Sequence, residues 1–572
     1  MLVLAFAVGI ITGLGAVGFR AMIGFVHNLL FFGKLSFAYD ANLHTAMSPW
    51  GVLIIFIPVI GAIVVAWLVQ TFAPEAKGHG VPEVMNAIYY NEGKIKPIVA
   101  LIKSIASSVS IGSGGSVGRE GPIIQIGAAF ASTIGQVLPI PARQRIILIA
   151  AGAGAGIAAT FNAPIGGLAF ACELMLVSIN ATTVGLVAVA TATATYVGRV
   201  FLGATPALNI PRLEVVTSSN LASWHGLLLF APLGVLIGLA SVLFIRTIYW
   251  FEDFFDEIPG NYYTRHVLGM FLVGVVIYFL MRYTGHYYVQ GVGYATIIDI
   301  LKELLNKPWL LLLLFLAKLL NTSLTLGSGA SGGVFSPSLF LGATLGGAYG
   351  AILQLLFPHL SSISCAIFAL AGMAAMISGS TGAVLTAIAM TFEMTRDYNS
   401  ILPVIIAVAL SSAIRKLISH ESIYTLKLLR RGIIVPEGLQ ADITSASRAR
   451  DVMEKTFQVV QASDLQHVME ELKNSQITIV EKYGEILGIL KTRQFTKPEI
   501  TPENVGDFID ENFIIVSPFT DLVTIARHMQ AKEAETILVS RNPKEKTTNL
   551  LLGAITAKEI SNNLGRTAKL MS

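Results

Sequence analysis

Residues 116–126 read SVGREGPIIQI, with Arg119 and Glu120 side by side between two glycines, ahead of Pro122, in a stretch with almost no other charge. Glycine lets the backbone approach whatever passes, and a proline in the first helical turn costs nothing because its missing N–H would be unpaired there anyway. Gly118 to Gly121 therefore open a helix whose free amides point outward, which is a site for an anion. A glutamate at that position is a tethered anion. Ionised, Glu120 competes for the site; protonated, it leaves, so it reads as a gate that responds to protons. Neighbouring helical residues point about 100° apart, so Arg119 cannot readily close on Glu120. Arg119 is expected to satisfy nearby carbonyls or carboxylates. The plainer alternative is a buried salt bridge between helices.

Two other stretches repeat this grammar. Gly333, Val334 and Phe335 precede Pro337, and Gly78, His79 and Gly80 precede Pro82. Three helix starts with exposed amides describe a route for small anions.

The solvent around them is lipid. Of 572 residues, 54% are hydrophobic and 13% charged, and the mean hydropathy is +0.68, beyond what a soluble globular chain carries. Apolar runs near 1–30, 50–72, 96–112, 142–160, 181–203, 224–247, 266–283, 307–326, 363–392 and 400–419 include several of the roughly 20 residues a bilayer crossing needs. The N-terminal run lacks a basic leader and a cleavage site, so it reads as a retained membrane segment. Its abrupt apolar start leads us to expect natural sequence ahead of it. The pieces GHGVPEVMNAIYY, GREGPIIQIGAAFASTIG, NAPIGGLAFACELMLVSI and GGVFSPSLFLGATLGGAYG read as too short or too interrupted for simple spans. Broken helices at membrane depth belong beside a pathway.

The order also repeats: the run 96–112 precedes GSGGSVGREGP, and the run 307–326 precedes GSGASGGVFSP. That is the trace of two related halves, about 1–205 and 220–435, against the alternative of glycine seams for helix packing. The net charge of +4 is too mild for nucleic acid. Cys172 and Cys365 lie in separate apolar segments, which excludes a disulfide framework or a paired-cysteine metal site. No catalytic triad or phosphate-binding loop is present, so an enzyme is not expected.

Charge marks the boundary of the membrane part. The first 440 residues carry 40 charged side chains and the last 132 carry 34. After about 445 the texture becomes short strands and amphipathic helices, including one with Leu465, Val468 and Leu472 on a single face and two strands around a Tyr483–Gly484 turn. The same order recurs about 55 residues later, giving units at 441–498 and 503–566.

GREGP, GHGVP, GGVFSP, FNAPIGGLAFACE and SIYTLKLLRRG together resemble the CLC family of chloride channels and chloride/proton exchangers, and the tail resembles a tandem pair of cystathionine-β-synthase (CBS) domains. The resemblance implies an all-α polytopic membrane domain over 1–440, built from two inverted repeats with broken helices, followed by an α/β CBS pair. It implies a homodimer with one anion pathway per subunit, gated by Glu120. Anion contacts fall to Gly118, Arg119 and Gly121, to Gly78, His79 and Gly80, to Val334 and Phe335, and to the hydroxyl of Tyr424 at the inner end. A phenol donates to chloride from a rigid arm; the bland reading of Tyr424 is an interfacial belt residue.

Two departures matter. Relatives with the motif GSGIP use its serine at the anion site, where this chain has His79, which either donates from its ring or turns away and leaves its amide. Exchangers carry two glutamates after FNAP, the second an internal proton acceptor; here the pair is Glu173–Leu174. Leucine cannot take a proton, which tips the expectation toward a passive channel, with a chloride/proton antiporter as the alternative. Glu173 is either a proton-path residue or a structural helix cap.

Lys103 and Lys318 are expected to add positive potential near the pathway, or to snorkel from helix ends. In the tail, GAITAKE places Thr556 and Glu559 where such domains hold a ribose, so adenine nucleotide binding is one reading and a purely structural clamp the other. No cofactor or metal is required. Lys427, Arg430 and Arg431, just past the last membrane helix, place the CBS pair in the cytoplasm of a multi-pass plasma (inner) membrane protein. A CBS-gated sensor without flux remains a distant alternative, disfavoured by the anion-lined path. A fluoride exporter is disfavoured by Tyr424.

Overall fold

A computed structural model describes residues 1–204, 224–357, 364–395, 398–433 and 435, and, further on, 448–464, 477–491, 509–520, 534–543 and 545–556 with single residues at 506, 522, 524, 525, 528, 529 and 559. The chain divides into two units, Met1–Val435 and Pro436–Ser572.

The first unit is helical. Its N-terminal half runs α1 (Leu2–Phe32), α2 (Ile57–Phe72), α3 (Val81–Tyr90), α4 (Pro97–Gly112), α5 (Glu120–Val137), α6 (Ala142–Phe161), α7 (Pro164–Phe170) and α8 (Ala181–Leu202). The second half follows with α9 (Trp224–Leu228), α10 (Phe230–Glu257), α11 (Tyr262–Thr284), α12 (Tyr294–Leu301), α13 (Pro308–Gly327), α14 (Phe335–Leu356), α15 (Cys365–Thr381), α16 (Val384–Thr395), α17 (Ile401–Ile418) and α18 (Thr425–Leu429). Nine helices among the described residues are long and apolar enough to cross a membrane.

One of the nine corrects the sequence reading. The piece GGVFSPSLFLGATLGGAYG was expected to be too short to span, but α14 continues through Leu356 for 22 residues, because AILQLL carries on without a breaker. The reverse holds at 363–392, where Gly382, at φ 81°, ends α15 and splits an apparently continuous run.

The two halves use the same joints. α5 packs on α6 through Gly127 and Gly152, where a Cβ on either would strike the other's carbonyl oxygen. α14 packs on α15 through Gly342 and Gly372 in the same way. Small residues are what allow backbones this close in lipid, where burying apolar surface gives no driving force between helices. The surrounding core is fully buried, from Ile123 and Leu148 in one half to Leu341 and Met373 in the other.

The second unit contains two small sheets of identical topology. In the first, β1 (Gln458–Gln461) lies parallel to β2 (Ile477–Lys482), which pairs antiparallel with β3 (Glu485–Lys491). In the second, β4 (Phe513–Val516), β5 (Thr536–Ser540) and β6 (Leu551–Thr556) repeat that order. Tyr483 and Gly484 both have positive φ, at 55° and 84°, as a two-residue hairpin turn requires. Leu465, Val468 and Leu472 lie outside the described residues.

Candidate functional site

The starts of α3, α5 and α14 are knitted together by backbone hydrogen bonds. Gly118 and Gly333 exchange N–H and C=O in both directions at 2.7 Å, and Gly78 donates to Ala330 at 3.0 Å. Only glycine fits here: a Cβ on Gly333 would lie 2.7 Å from the Gly121 nitrogen. Gly80, with φ 85°, turns the chain into α3.

Two buried lysines brace these loops as a matched pair. The Lys103 ammonium donates to the carbonyls of Ala76 and Gly78, at 2.9 and 2.7 Å. Lys318 donates to Val289 and Gly291, at 3.0 and 2.8 Å. Ser331 and Ser116 repeat the relation, donating to Ala76 and Val289 respectively. Neither lysine snorkels, since both are fully buried. The symmetry exposes a fourth helix start that the sequence reading did not count: Gly291, Val292 and Gly293 lead into α12 as Gly78, His79 and Gly80 lead into α3.

That fourth start supplies a residue missed from sequence. Glu120 is fully buried, and its carboxylate accepts hydrogen bonds from the Tyr294 hydroxyl, from the Ser336 hydroxyl at 2.5 Å and from the Ser336 backbone N–H at 3.3 Å. The carboxylate thus sits at the first turn of α14, where the helix presents free amides to an anion. Val334 and Phe335, each 1% exposed, wall the same turn, and the Phe335 ring lies tilted against that of Phe161, 5.6 Å between centroids.

Arg119 departs from expectation. Its guanidinium lies over the Tyr294 ring, 5.1 Å from the centroid, a cation–π contact. Its Nε has no partner among the described residues. The charge thus rests on a ring face where carbonyls or carboxylates were anticipated.

At the start of α3, His79 is 2% exposed with its Nδ1 unpartnered among the described residues, and its ring meets Tyr249 edge-on at 6.3 Å. The cations acting on it are Lys427, Lys103 and Arg431, a positive field of the kind that concentrates anions. Lys427, read from sequence as part of the basic cluster past the last membrane helix, is 7% exposed, close enough to Gly78 that a Cβ there would lie 2.6 Å from its ammonium. Arg430 pairs with Asp253, and Arg431 with Glu83 at 2.7 Å. Tyr424 is 1% exposed at the head of α18.

Glu173 belongs to a different construction. One oxygen accepts from the amides of Val384 and Leu385, at 2.6 and 3.0 Å; the other accepts from the amide and hydroxyl of Thr386, at 3.0 and 2.9 Å. It caps α16. Glu393 returns the arrangement by accepting from Ile165 and Gly166 at the start of α7, at 3.0 and 2.7 Å. Glu393 was also missed, although each glutamate stands ten residues after an alanine that precedes the short helix, Ala163 or Ala383. Far along the chain, in the second unit, the Thr556 amide and hydroxyl both donate to Glu559.

Comparison with known proteins gives the family and the fold. Residues 61–416 match the family model described as voltage gated chloride channel. The H(+)/Cl(−) exchange transporter ClcA of Vibrio cholerae is 34% identical over 396 residues, covering 67% of this chain and 80% of that protein. The crystal structure of a slow cyanobacterial Cl−/H+ antiporter superposes with a TM-score of 0.62 at 27% identity, over 75% of this chain and 97% of that one. A eukaryotic CLC transporter shares the fold with a TM-score of 0.63 at 20% identity, over 98% of this chain and 97% of its own. The chain belongs to the voltage-gated chloride channel family, as a multi-pass membrane protein of the CLC fold.

Proposed function

We propose that this protein exchanges chloride for protons through one pathway in each subunit of a homodimer, with Glu120 as the gate. The observation that carries the reading is the seat of the Glu120 carboxylate at the start of α14, against the Ser336 amide. A tethered carboxylate in an anion's place can be displaced by chloride or released by protonation, which links the two ions at one point.

Exchange replaces the passive channel favoured from Leu174 alone, because similar chains are named for chloride/proton exchange. Leu174 still denies the inner side a carboxylate at that position, and uncoupled conduction stays as the second reading on that ground. In our reading Glu173 acts as the α16 cap and not as a proton carrier, since both oxygens are already engaged. The amides of His79 and Gly80, of Arg119 to Gly121, and of Val334 and Phe335 line the anion's route, with the Tyr424 hydroxyl as its inner donor; the Gly78 and Gly118 amides, expected among them, are taken by the carbonyls of Ala330 and Gly333. His79 serves through its backbone, while Lys103 and Lys427 supply the field. The second unit is a cytoplasmic CBS pair in which Thr556 and Glu559 cap the end of β6, so a structural clamp is preferred to an adenine nucleotide site.

Liposomes holding the full chain, under opposing chloride and pH gradients, test this. Proton uptake driven by a chloride gradient is expected. A reversal potential at the chloride equilibrium value, with no proton movement, refutes exchange.

A further inference from the structure

A titratable cluster lies outside the site described so far. The Nε2 of His44 contacts the Asp299 carboxylate at 2.7 Å. The His286 ring lies 4.4 Å from that of His44, and Tyr288 meets both edge-on. His44 and Asp299 are 20% and 27% exposed, so water reaches them. Asp299 is carried by α12, the helix that Tyr294 begins.

A polar cavity of about 30 Å³ lies beside this cluster, lined by His44, Tyr39, Tyr288, Gln290, Thr296 and Tyr294. That volume suffices for a water molecule with several polar partners. Tyr294, at one end, donates to Glu120.

The cluster faces the side opposite the basic residues. The stretch Gly51–Phe72 is long and apolar enough to cross the membrane, and it stands between the loop that carries His44 and Glu83, which binds Arg431. With Arg431 on the cytoplasmic side, His44 is outside.

We propose that the His44–Asp299 pair is the outer proton-exchange station for Glu120, a role that rests on the reading of Glu120 as a protonated gate. An imidazolium at His44, held by Asp299, releases one proton to the cavity water. The water passes a proton to the Tyr294 oxygen as the Tyr294 hydroxyl hands its own to the Glu120 carboxylate. His44 and Glu120 end neutral, Tyr294 and the water end unchanged, and the transfer runs backwards for proton exit. The groups facing His44 are Asp299 from α12 and His286 and Tyr288 from the loop before it. Burial, then the charge of His44, holds His286 below the ordinary histidine range, while Asp299 acts in the opposite sense. His44, which holds the carboxylate at 2.7 Å, is the imidazole of the station.

The test uses the full chain in liposomes, reading chloride-driven proton flux against external pH. His44→Gln, which keeps a side-chain amide to bond Asp299, is expected to slow proton flux about a hundredfold near neutral pH, the low end of what a positioned acid–base group contributes. Asp299→Asn should act in the same direction. External imidazole buffer should restore flux in His44→Ala, which a purely structural role for His44 would not allow. If all three variants keep the wild-type external pH profile while Glu120→Gln abolishes it, the station is refuted and the gate stands. If Glu120→Gln also keeps that profile, the gate reading fails first.

Discussion

Replacing Tyr294 with phenylalanine removes one oxygen and leaves the ring that Arg119 covers. That oxygen donates to a buried carboxylate, and hydrogen bonds to charged groups contribute about 1.5–3 kcal/mol. The donor stabilises the ionised, seated Glu120 and does little for the protonated, departing form. Losing it therefore favours release at equilibrium, while removing the outer relay should slow proton delivery, so the equilibrium midpoint and not the rate carries this test. At about 1.4 kcal/mol per pH unit, the pH at which flux reaches half its maximum should rise by about one to two units. The sign follows from the donors: they hold the gate shut until pH falls, so with one fewer the gate opens at higher pH. Chloride efflux from liposomes, followed with a chloride electrode across pH 4 to 8 on both faces, gives the midpoint. A Tyr294→Phe curve that overlays the wild type, or moves to lower pH, refutes the idea that this hydroxyl latches the gate.

Ser336→Ala should shift the same curve in the same direction, and the double variant should shift less than the sum, because the two hydroxyls also bond each other at 3.0 Å. Glu173→Gln should lower thermal stability in detergent by about 0.5–2 kcal/mol, the range for a lost helix cap, and leave the proton-to-chloride ratio intact; loss of proton movement alone would return Glu173 to the proton path. Lys103→Met and Lys318→Met each remove two charge-assisted hydrogen bonds to buried carbonyls, although Ala76 and Val289 keep a serine donor, so each should destabilise the chain by about 1–3 kcal/mol and weaken chloride binding in calorimetry; an unchanged chloride affinity would remove the lysines from the field around the route. Calorimetry of the full chain with ATP should show no heat of binding at the second unit; a saturable signal lost in Glu559→Ala would make it a nucleotide site.

Local backbone rules are readable from sequence, and the helix starts at Gly78, Gly118 and Gly333 were readable because glycine and proline declare them within a few residues. The partners of Glu120 were not. Tyr294 and Ser336 stand 174 and 216 residues away, and nothing local to either marks it, apart from the GVGY that mirrors GHGV. The buried lysines showed as charges in apolar runs, which suggested a field; their carbonyl partners depend on how loops from one half fold over its helices. Glu173 drew attention through its neighbour Leu174, yet its bonds run to α16, 211 to 213 residues on. Pairing between halves is the part that sequence order conceals.

The reciprocal glutamates have a consequence for how the molecule is made. Residues at the start of α7 leave the ribosome with open amides whose acceptor, Glu393, is 227 or 228 residues downstream. At about 5–20 residues per second, the wait is on the order of 10–50 seconds, during which a short helix stands in or near lipid with its first turn unsatisfied. The early half should therefore depend on the insertion machinery or a chaperone for shelter until the late half arrives. Nascent chains arrested before residue 393 should be cut by protease near Ile165, and chains arrested well after it should resist; equal resistance in both would show that α7 closes without its distant partner.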